Sequence, residues 1–208
     1  MKDLLNTLSE LINSEISLVI KKRISEFREF KDKSLTDIFN EMCFCIMTAN
    51  CSAEKCIEVQ KSMGNGFGEL REQELSTQLK SSGYRFPNIR AKYIIEARKN
   101  QEEILTMLKS YMDPYELREW FVKNIKGLGY KEASHFLRNI GFTEFAIIDF
   151  HIIDLLTHFN LITKPKTLSK TKYLEIENLL GEIAKQLNLN LAELDLYMWY
   201  METGKVLK

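Results

Sequence analysis

The sequence predicts an all-α fold, and three observations lead to this expectation. Apolar residues recur at intervals of three and four along most of the chain, which is the spacing of one helix face. The 208 residues include only nine Gly and three Pro, too few for many short strands joined by tight turns. Ser, Asp and Gly stand where the periodic segments begin or end, as helix caps do.

The N-terminal half contains six predicted helices. The first covers residues 3–30, and Ser34 caps a second, whose segment 42–47 is apolar on all sides and is therefore expected to be central. Ser52 caps a third helix, which ends near Met63 before a GNGFG loop. The remaining helices of this half are predicted over residues 69–80, 88–98 and 102–109, with a break at Pro87 before the second of these.

The C-terminal half is predicted to be equally helical. Asp113 and Pro114 begin a helix that runs to residue 123, and a Gly-x-Gly turn leads into a helix over residues 130–140. Asp149 is placed to cap a helix that reaches His158. The polar residues 164–170 form a loop, and helices over residues 172–187 and 191–202 complete the chain.

Charge and hydropathy restrict the class of protein. The net charge is zero, with 29 basic and 29 acidic residues, so any DNA binding must come from a local motif. No apolar run approaches the roughly 20 residues of a membrane span. The acidic, amphipathic N-terminus also differs from a signal peptide. A soluble protein of the cytoplasm, with no membrane partner, is expected.

The four cysteines lie close together in the sequence, at Cys43, Cys45, Cys51 and Cys56. A metal or iron–sulfur site is one interpretation, but the spacing C-x-C-x5-C-x4-C matches no common pattern for either. Cys43 and Cys45 also fall inside the apolar helical run. Ordinary reduced thiols are therefore favoured, with no metal ligand and no iron–sulfur cluster.

The segment 122–137 is the most informative part of the chain, because it predicts a helix, a Gly-Leu-Gly turn and a second helix. Gly127 and Gly129 leave backbone N–H groups near a helix start, where they can bind phosphate. An ordinary tight connection would explain the glycines equally well. Taken singly, Lys131 would be a solvated lysine and Asp149 a plain helix cap.

The combination resembles the helix-hairpin-helix DNA glycosylase superfamily. Members that also cleave the strand carry a Lys two residues after the second Gly, here Lys131, and an Asp about eighteen residues later, here Asp149 (149 − 131 = 18). Residues 129–139, the segment from Arg85 to Tyr93 and residues 194–208 further resemble the archaeal-type 8-oxoguanine DNA glycosylases, over nearly the whole chain. Pro87 departs from the aromatic residue that is commoner there.

The resemblance implies a fold and a domain organisation. We expect one glycosylase unit, residues 1–208, with two lobes and an active site in the cleft between them. One lobe would span residues 34–148, including the hairpin at 122–140. The other would combine residues 1–33 and 149–208.

The resemblance also implies a bifunctional repair enzyme that excises 8-oxoguanine and nicks the strand by β-elimination. Lys131 would attack the sugar and form a Schiff base, while Asp149 stabilises positive charge on that sugar. Lys131 stands in the first turn of its helix, where the dipole and the closing of the site both favour the neutral, attacking amine.

Further site residues are implied in the same way. Phe86 and Trp199 would sandwich the flipped base, although core packing would also explain both rings. The terminal Lys208 would reach the polar edge of the base, with its carboxylate as an acceptor. His151 would orient Asp149 or contact phosphate. Candidates for the basic surface that neutralises DNA are Lys123, Lys126, Arg138, Arg90 and Lys92.

The expected partner is double-stranded DNA with a damaged base, bound by a monomer. No cofactor is required, and a structural monovalent cation is implied at the backbone carbonyls of residues 125–128. Two alternatives stay open. The same Lys and Asp could act on another base, although the absence of four cysteines near the C-terminus counts against the endonuclease III-like branch. A non-catalytic DNA-binding module would use Lys131 only as a phosphate contact.

Overall fold

The structure is a computed structural model that describes residues 1–110 and 112–208. Within these residues it contains helices and no β-strand, which confirms the all-α prediction. The α-helices, numbered in chain order, are α1 Lys2–Ile12, α2 Ile16–Glu29, α3 Leu35–Thr48, α4 Ala53–Met63, α5 Gly66–Glu69, α6 Glu72–Ser81, α7 Pro87–Lys99, α8 Gln101–Lys109, α9 Pro114–Asn124, α10 Tyr130–Asn139, α11 Phe150–His158, α12 Lys170–Gln186 and α13 Leu191–Thr203.

The prediction of one continuous helix over residues 3–30 was wrong, because the chain breaks between α1 and α2. The side chain of Asn13 donates to the carbonyl of Ser9 at 2.8 Å, and that of Ser14 donates to the carbonyl of Leu11 at 2.8 Å. The Ser14 bond satisfies the carbonyl of Leu11, which a continuing helix would have used. The apolar spacing crosses the break unchanged, which is why periodicity alone missed it.

The GNGFG segment was predicted to be a loop, but part of it is helical. It contains the single helical turn α5, and the following helix begins at Glu72 rather than at residue 69. Gly64, with φ of 53°, ends α4 in a conformation that glycine adopts readily. The backbone N–H of Gly68 then donates to the carbonyl of Asn65 at 2.9 Å and starts the turn.

The chain divides into two compact units, residues 30–136 and residues 1–29 with 137–208. The predicted lobes changed over at 33/34 and 148/149, whereas these units change over at 29/30 and at 136/137, inside α10. In the unit 30–136, α3 packs against α4, α5 and α7. Its segment 42–47 is completely buried, as its apolar sequence indicated.

The other unit is organised around α13, which packs against α1, α2, α11 and α12. The predicted caps Ser34, Ser52 and Asp149 each accept a hydrogen bond from the backbone N–H three residues later, as expected for N-caps. In the part of the chain that the structure describes, no helix is both long and apolar enough to cross a membrane.

Candidate active site

The hairpin between α9 and α10 is closed by a hydrogen bond of 3.2 Å from the N–H of Leu128 to the carbonyl of Ile125. Gly127 has φ of 92°, and a Cβ there would lie 2.8 Å from Cδ2 of Tyr93 and 3.1 Å from Cγ2 of Ile46. Both the conformation and the space therefore require glycine. The turn is fixed against α7 and α3, while Gly129 is exposed at its far end.

Lys131 is the second residue of α10, and its side chain is 24% exposed. Its Nζ donates to the carbonyl oxygen of Thr48, the last residue of α3, at 3.4 Å. Arg90 donates to the next carbonyl, that of Ala49, at 2.9 Å. The negative end of the α3 dipole thus attracts two cations, and it holds the Lys131 amine against the protein instead of extended in water.

Glu132 completes the surroundings of Lys131, and the sequence analysis did not single it out. Its Oε1 lies 3.2 Å from Lys131 Nζ, and its Oε2 accepts from the N–H of Gly129 at 3.2 Å. The spacing of a cap residue and a Glu three positions later could have indicated the second contact. The first contact had no comparable signal.

Asp149 caps α11, with Oδ1 accepting from the N–H of Ile152 at 3.1 Å. The segment before it, residues 145–148, is extended and buried, and it belongs to no helix. Buried backbone groups outside regular structure need other partners. The segment obtains them from side chains of α12 and α13.

Three side chains bind this extended segment. Tyr173 donates its hydroxyl to the carbonyl of Ala146 at 2.7 Å, and the same hydroxyl accepts from the N–H of Ile148 at 3.4 Å. Glu177 accepts from the N–H of Ala146 at 3.1 Å. Asp195 accepts from the N–H of Ile147. The position of Asp149 therefore depends on residues that follow it by 24 to 46 positions (173 − 149 and 195 − 149).

His151 and Trp199 are brought into contact. Their rings meet edge to face, with centroids 4.9 Å apart, and Nδ1 of His151 lies 3.9 Å from Oε1 of Glu202. The ring centroids of Phe150 and His151 lie 3.9 Å apart with the planes tilted by 36°, although 65% of the Phe150 surface is exposed. Phe150, His151 and Trp199 therefore form a row of three aromatic rings, and the first two belong to the residues that directly follow Asp149.

Phe86 belongs to the unit of residues 30–136 and is the N-cap residue of α7. Pro87 is the first residue of that helix, a position in which its missing N–H costs nothing. The guanidinium of Arg85 lies 5.0 Å from the centre of the Phe86 ring. Lys208 is half-buried at the end of the described chain, five residues beyond α13.

Two of the five basic candidates are buried in the structure. Arg90 is 8% exposed and Arg138 is 3% exposed, and both bind protein groups. Their assignment to a DNA-neutralising surface was therefore wrong, since their guanidinium groups bind a backbone carbonyl and a carboxylate of the protein itself. Lys92, Lys123 and Lys126 are exposed.

The four cysteines are reduced and form no disulfide, and Cys43, Cys45 and Cys56 are buried, as an apolar role predicts. Burial raises the pKa of Cys43 well above its usual value. Residues 1–110 and 112–208 contain no group of three or more His, Cys, Asp or Glu side chains placed to bind a metal ion.

Comparison with known proteins gives one consistent result. The family model described as 8-oxoguanine DNA glycosylase matches residues 20–189. The 8-oxoguanine DNA glycosylase/AP lyase of Methanocaldococcus jannaschii is 52% identical over 99% of both chains, and that of Korarchaeum cryptofilum is 48% identical over 99% of this chain and 98% of its own. The crystal structure of the M. jannaschii enzyme with a 15mer DNA containing 8-oxoguanine matches with a TM-score of 0.96, 52% identity and 99% coverage of both chains.

Proposed function

Because the chain belongs to the 8-oxoguanine DNA glycosylase family, we propose that it excises 8-oxoguanine from DNA and then nicks the strand through a Schiff base on Lys131. The observation that carries this proposal is the position of Lys131. It follows the Gly-Leu-Gly hairpin by two residues, and its Nζ is held at the C-terminal end of α3. A lysine that served only as a solvated charge would extend into water and would not donate to a backbone carbonyl of another helix.

The reaction begins when the damaged nucleotide leaves the helical stack, because its C1′ is inaccessible inside the duplex. As the base departs, the sugar acquires positive charge, which the carboxylate of Asp149 stabilises. The neutral amine of Lys131 then adds at C1′, and opening of the sugar ring leaves the Schiff base. β-elimination breaks the strand on the 3′ side.

Recognition of the base is assigned to Phe86, Trp199 and Lys208. Stacking on an aromatic ring contributes about 1–3 kcal/mol per base. The half-buried rings of Phe86 and Trp199 support this role, because each retains surface for a ligand. Lys208 supplies polar groups for the edge of the purine.

Phosphate binding is assigned to the backbone of Gly127 and Gly129 and to His151. We also propose that the carbonyls of residues 125–128 bind a monovalent cation that bridges to phosphate, and that no other cofactor is needed. The tight turn supports this proposal, because the hydrogen bond from the N–H of Leu128 to the carbonyl of Ile125 brings the two ends of this segment together. Duplex affinity in potassium chloride should exceed that in tetramethylammonium chloride of equal ionic strength. Equal affinities would contradict the cation site.

The function is tested by reduction with borohydride on a duplex that contains 8-oxoguanine. Wild type should give a covalent protein–DNA adduct, and Lys131→Gln should give none while it still binds the duplex. Lys164→Gln is the control, because Lys164 is an exposed lysine paired with Asp154. Absence of an adduct with wild type would contradict the lyase activity.

A second candidate function is the same chemistry on another base, since Lys131 and Asp149 themselves do not read the base. A panel of duplexes with single lesions separates the two functions. We propose further that the protein acts as a monomer in the prokaryotic cytoplasm, with the DNA. Sedimentation at micromolar concentration should give the mass of one chain, 24.4 kDa.

A further inference from the structure

Glu132 links the hairpin to the proposed nucleophile. One carboxylate oxygen lies 3.2 Å from Nζ of Lys131, and the other accepts from the N–H of Gly129, also at 3.2 Å. Neighbouring residues on a helix normally point in different directions. Here they meet because Glu132, the third residue of α10, folds back over the start of the helix to cap it.

The pair is partly shielded from water. Lys131 is 24% exposed and Glu132 only 13%, whereas the comparable pair of Lys55 and Glu58 is 37% and 69% exposed. Nζ of Lys131 also donates to the carbonyl of Thr48, which accepts a hydrogen bond but is not a base at neutral pH. Of these two neighbours, only Glu132 can accept a proton.

A lysine nucleophile must lose protons at defined moments. Its nitrogen has to be neutral before it attacks, and it loses a second proton when the Schiff base forms. We propose that Glu132 is a catalytic residue that accepts the proton of Lys131 Nζ and relays the second one to the sugar. This inference rests on the function proposed above.

Glu132 holds and returns each proton that the reaction moves. Transfer from Nζ to Oε1 gives a neutral amine and a neutral carboxylic acid. The bond from C1′ to the base breaks with its electron pair on the departing base, and the nitrogen lone pair then forms the bond to C1′. When the C1′–O4′ bond breaks, its electron pair goes to O4′, which takes a proton from the acid, and Glu132 recovers one from the nitrogen. Of the three ammonium protons, one stays on the iminium nitrogen, one is on O4′ and one remains on Glu132.

Binding of DNA favours the first transfer. Displacement of water from around Lys131 and Glu132 penalises both charged groups. Movement of one proton across 3.2 Å replaces the ion pair with two neutral groups. The attacking form of Lys131 is thereby produced when the site is occupied, and the ion pair protects the amine at other times.

The principal test is Glu132→Gln, which retains the size of the side chain and an oxygen for Gly129 but accepts no proton. A duplex with a preformed abasic site isolates Schiff-base formation from base excision. We expect borohydride trapping in a single turnover to slow by about 10²–10⁴, with duplex affinity changed by less than about threefold. Glu58→Gln removes a carboxylate at the same 3.2 Å from a lysine and should trap at the wild-type rate.

Chemical rescue distinguishes proton transfer from helix capping. In Glu132→Ala the side chain is absent, and added formate should restore part of the trapping rate without a change in duplex affinity. A capping role predicts weaker DNA binding and no effect of formate.

The outcomes are separable. Trapping at the wild-type rate by Glu132→Gln would overturn the inference, as would a loss of rate that follows the loss of affinity and is not rescued by formate. Wild type that forms no adduct on the abasic duplex would contradict the proposed lyase function itself.

Discussion

Nη1 of Arg138 lies 2.7 Å from Oδ2 of Asp195, and the two side chains are only 3% and 10% exposed. Burial raises the pKa of Asp195 to about 6, although Arg138 opposes that rise. Asp149 adds to the rise, and the N–H of Ile147 opposes it. Asp195 therefore binds the backbone of the extended segment at Ile147 and interacts electrostatically with Asp149, the carboxylate proposed to act on the sugar.

Removal of one partner from this ion pair should destabilise the protein. Arg138→Met leaves the buried carboxylate of Asp195 without its cation, and the expected loss is about 3–5 kcal/mol of unfolding free energy. The double variant Arg138→Met/Asp195→Leu should regain most of that loss, as measured by urea unfolding. Lys164→Met, which breaks the exposed pair with Asp154, should cost under about 1 kcal/mol. Equal losses in both single variants would contradict this assignment.

Stability should also depend on pH through Asp195. Its folded-state pKa of about 6 lies above the ordinary 3.8, so the folded chain binds this proton more tightly than the unfolded chain does. The stabilising contribution is complete below pH 3.8, declines as the pH rises to 6, and is absent above it. Relative to the double variant, wild type should lose stability across that window and show no further change from pH 7 to 9. A difference that is constant at all pH values would remove Asp195 as its source.

Asp149→Asn should separate the two roles of this residue. Asn is as good an N-cap as Asp, so the hydrogen bond to Ile152 and the melting temperature should be retained. Loss of the negative charge should slow base excision by about 10²–10³ while duplex affinity is kept. Single-turnover excision and equilibrium binding measure the two quantities. Wild-type excision in this variant would exclude Asp149 from the chemistry.

Deletion of Lys208 tests the base-recognition role of the C-terminus. Excision of 8-oxoguanine should fall, since the polar contact of Lys208 with the base is lost, whereas cleavage at a preformed abasic site should change little. The ratio of the two rates is the measurement, because a general loss of folding lowers both. Equal losses would contradict a role in recognition.

Gly127→Ala should destabilise the hairpin. The new Cβ would meet Tyr93 at 2.8 Å, and φ of 92° is strained for alanine, so a loss of more than about 1 kcal/mol is expected. Gly68→Ala is the control, because a Cβ there meets nothing within 4 Å and its φ is not positive. Thermal unfolding and duplex affinity both report the effect. The prediction fails if Gly127→Ala and Gly68→Ala have the same melting temperature.

Local signals were enough to predict much of the fold. Ser34, Ser52 and Asp149 are caps whose partners lie three residues away, so each can be identified from a short window of sequence. The same reasoning found the Gly-Leu-Gly hairpin. It failed at Asn13 and Ser14, where side chains compete for carbonyls without interrupting the apolar spacing.

Contacts distant in sequence account for what could not be predicted. Lys131 meets Thr48, which precedes it by 83 residues. Arg90 and Arg138 were candidates for the basic surface, and no local signal showed which way they face; each donates to a part-buried acceptor that is distant in sequence. The anchors of residues 145–148 come from α12 and α13, and no spacing rule relates them to Asp149.

Side chains of α12 and α13 fix the backbone that leads to Asp149. Tyr173, Glu177 and Asp195 all hold the short stretch that ends at Asp149. A random-mutagenesis screen for lost repair activity should therefore return substitutions at these three positions together with those at Asp149 itself. The positions that tolerate no substitution would then mark a single support for Asp149 to which two helices, α12 and α13, contribute.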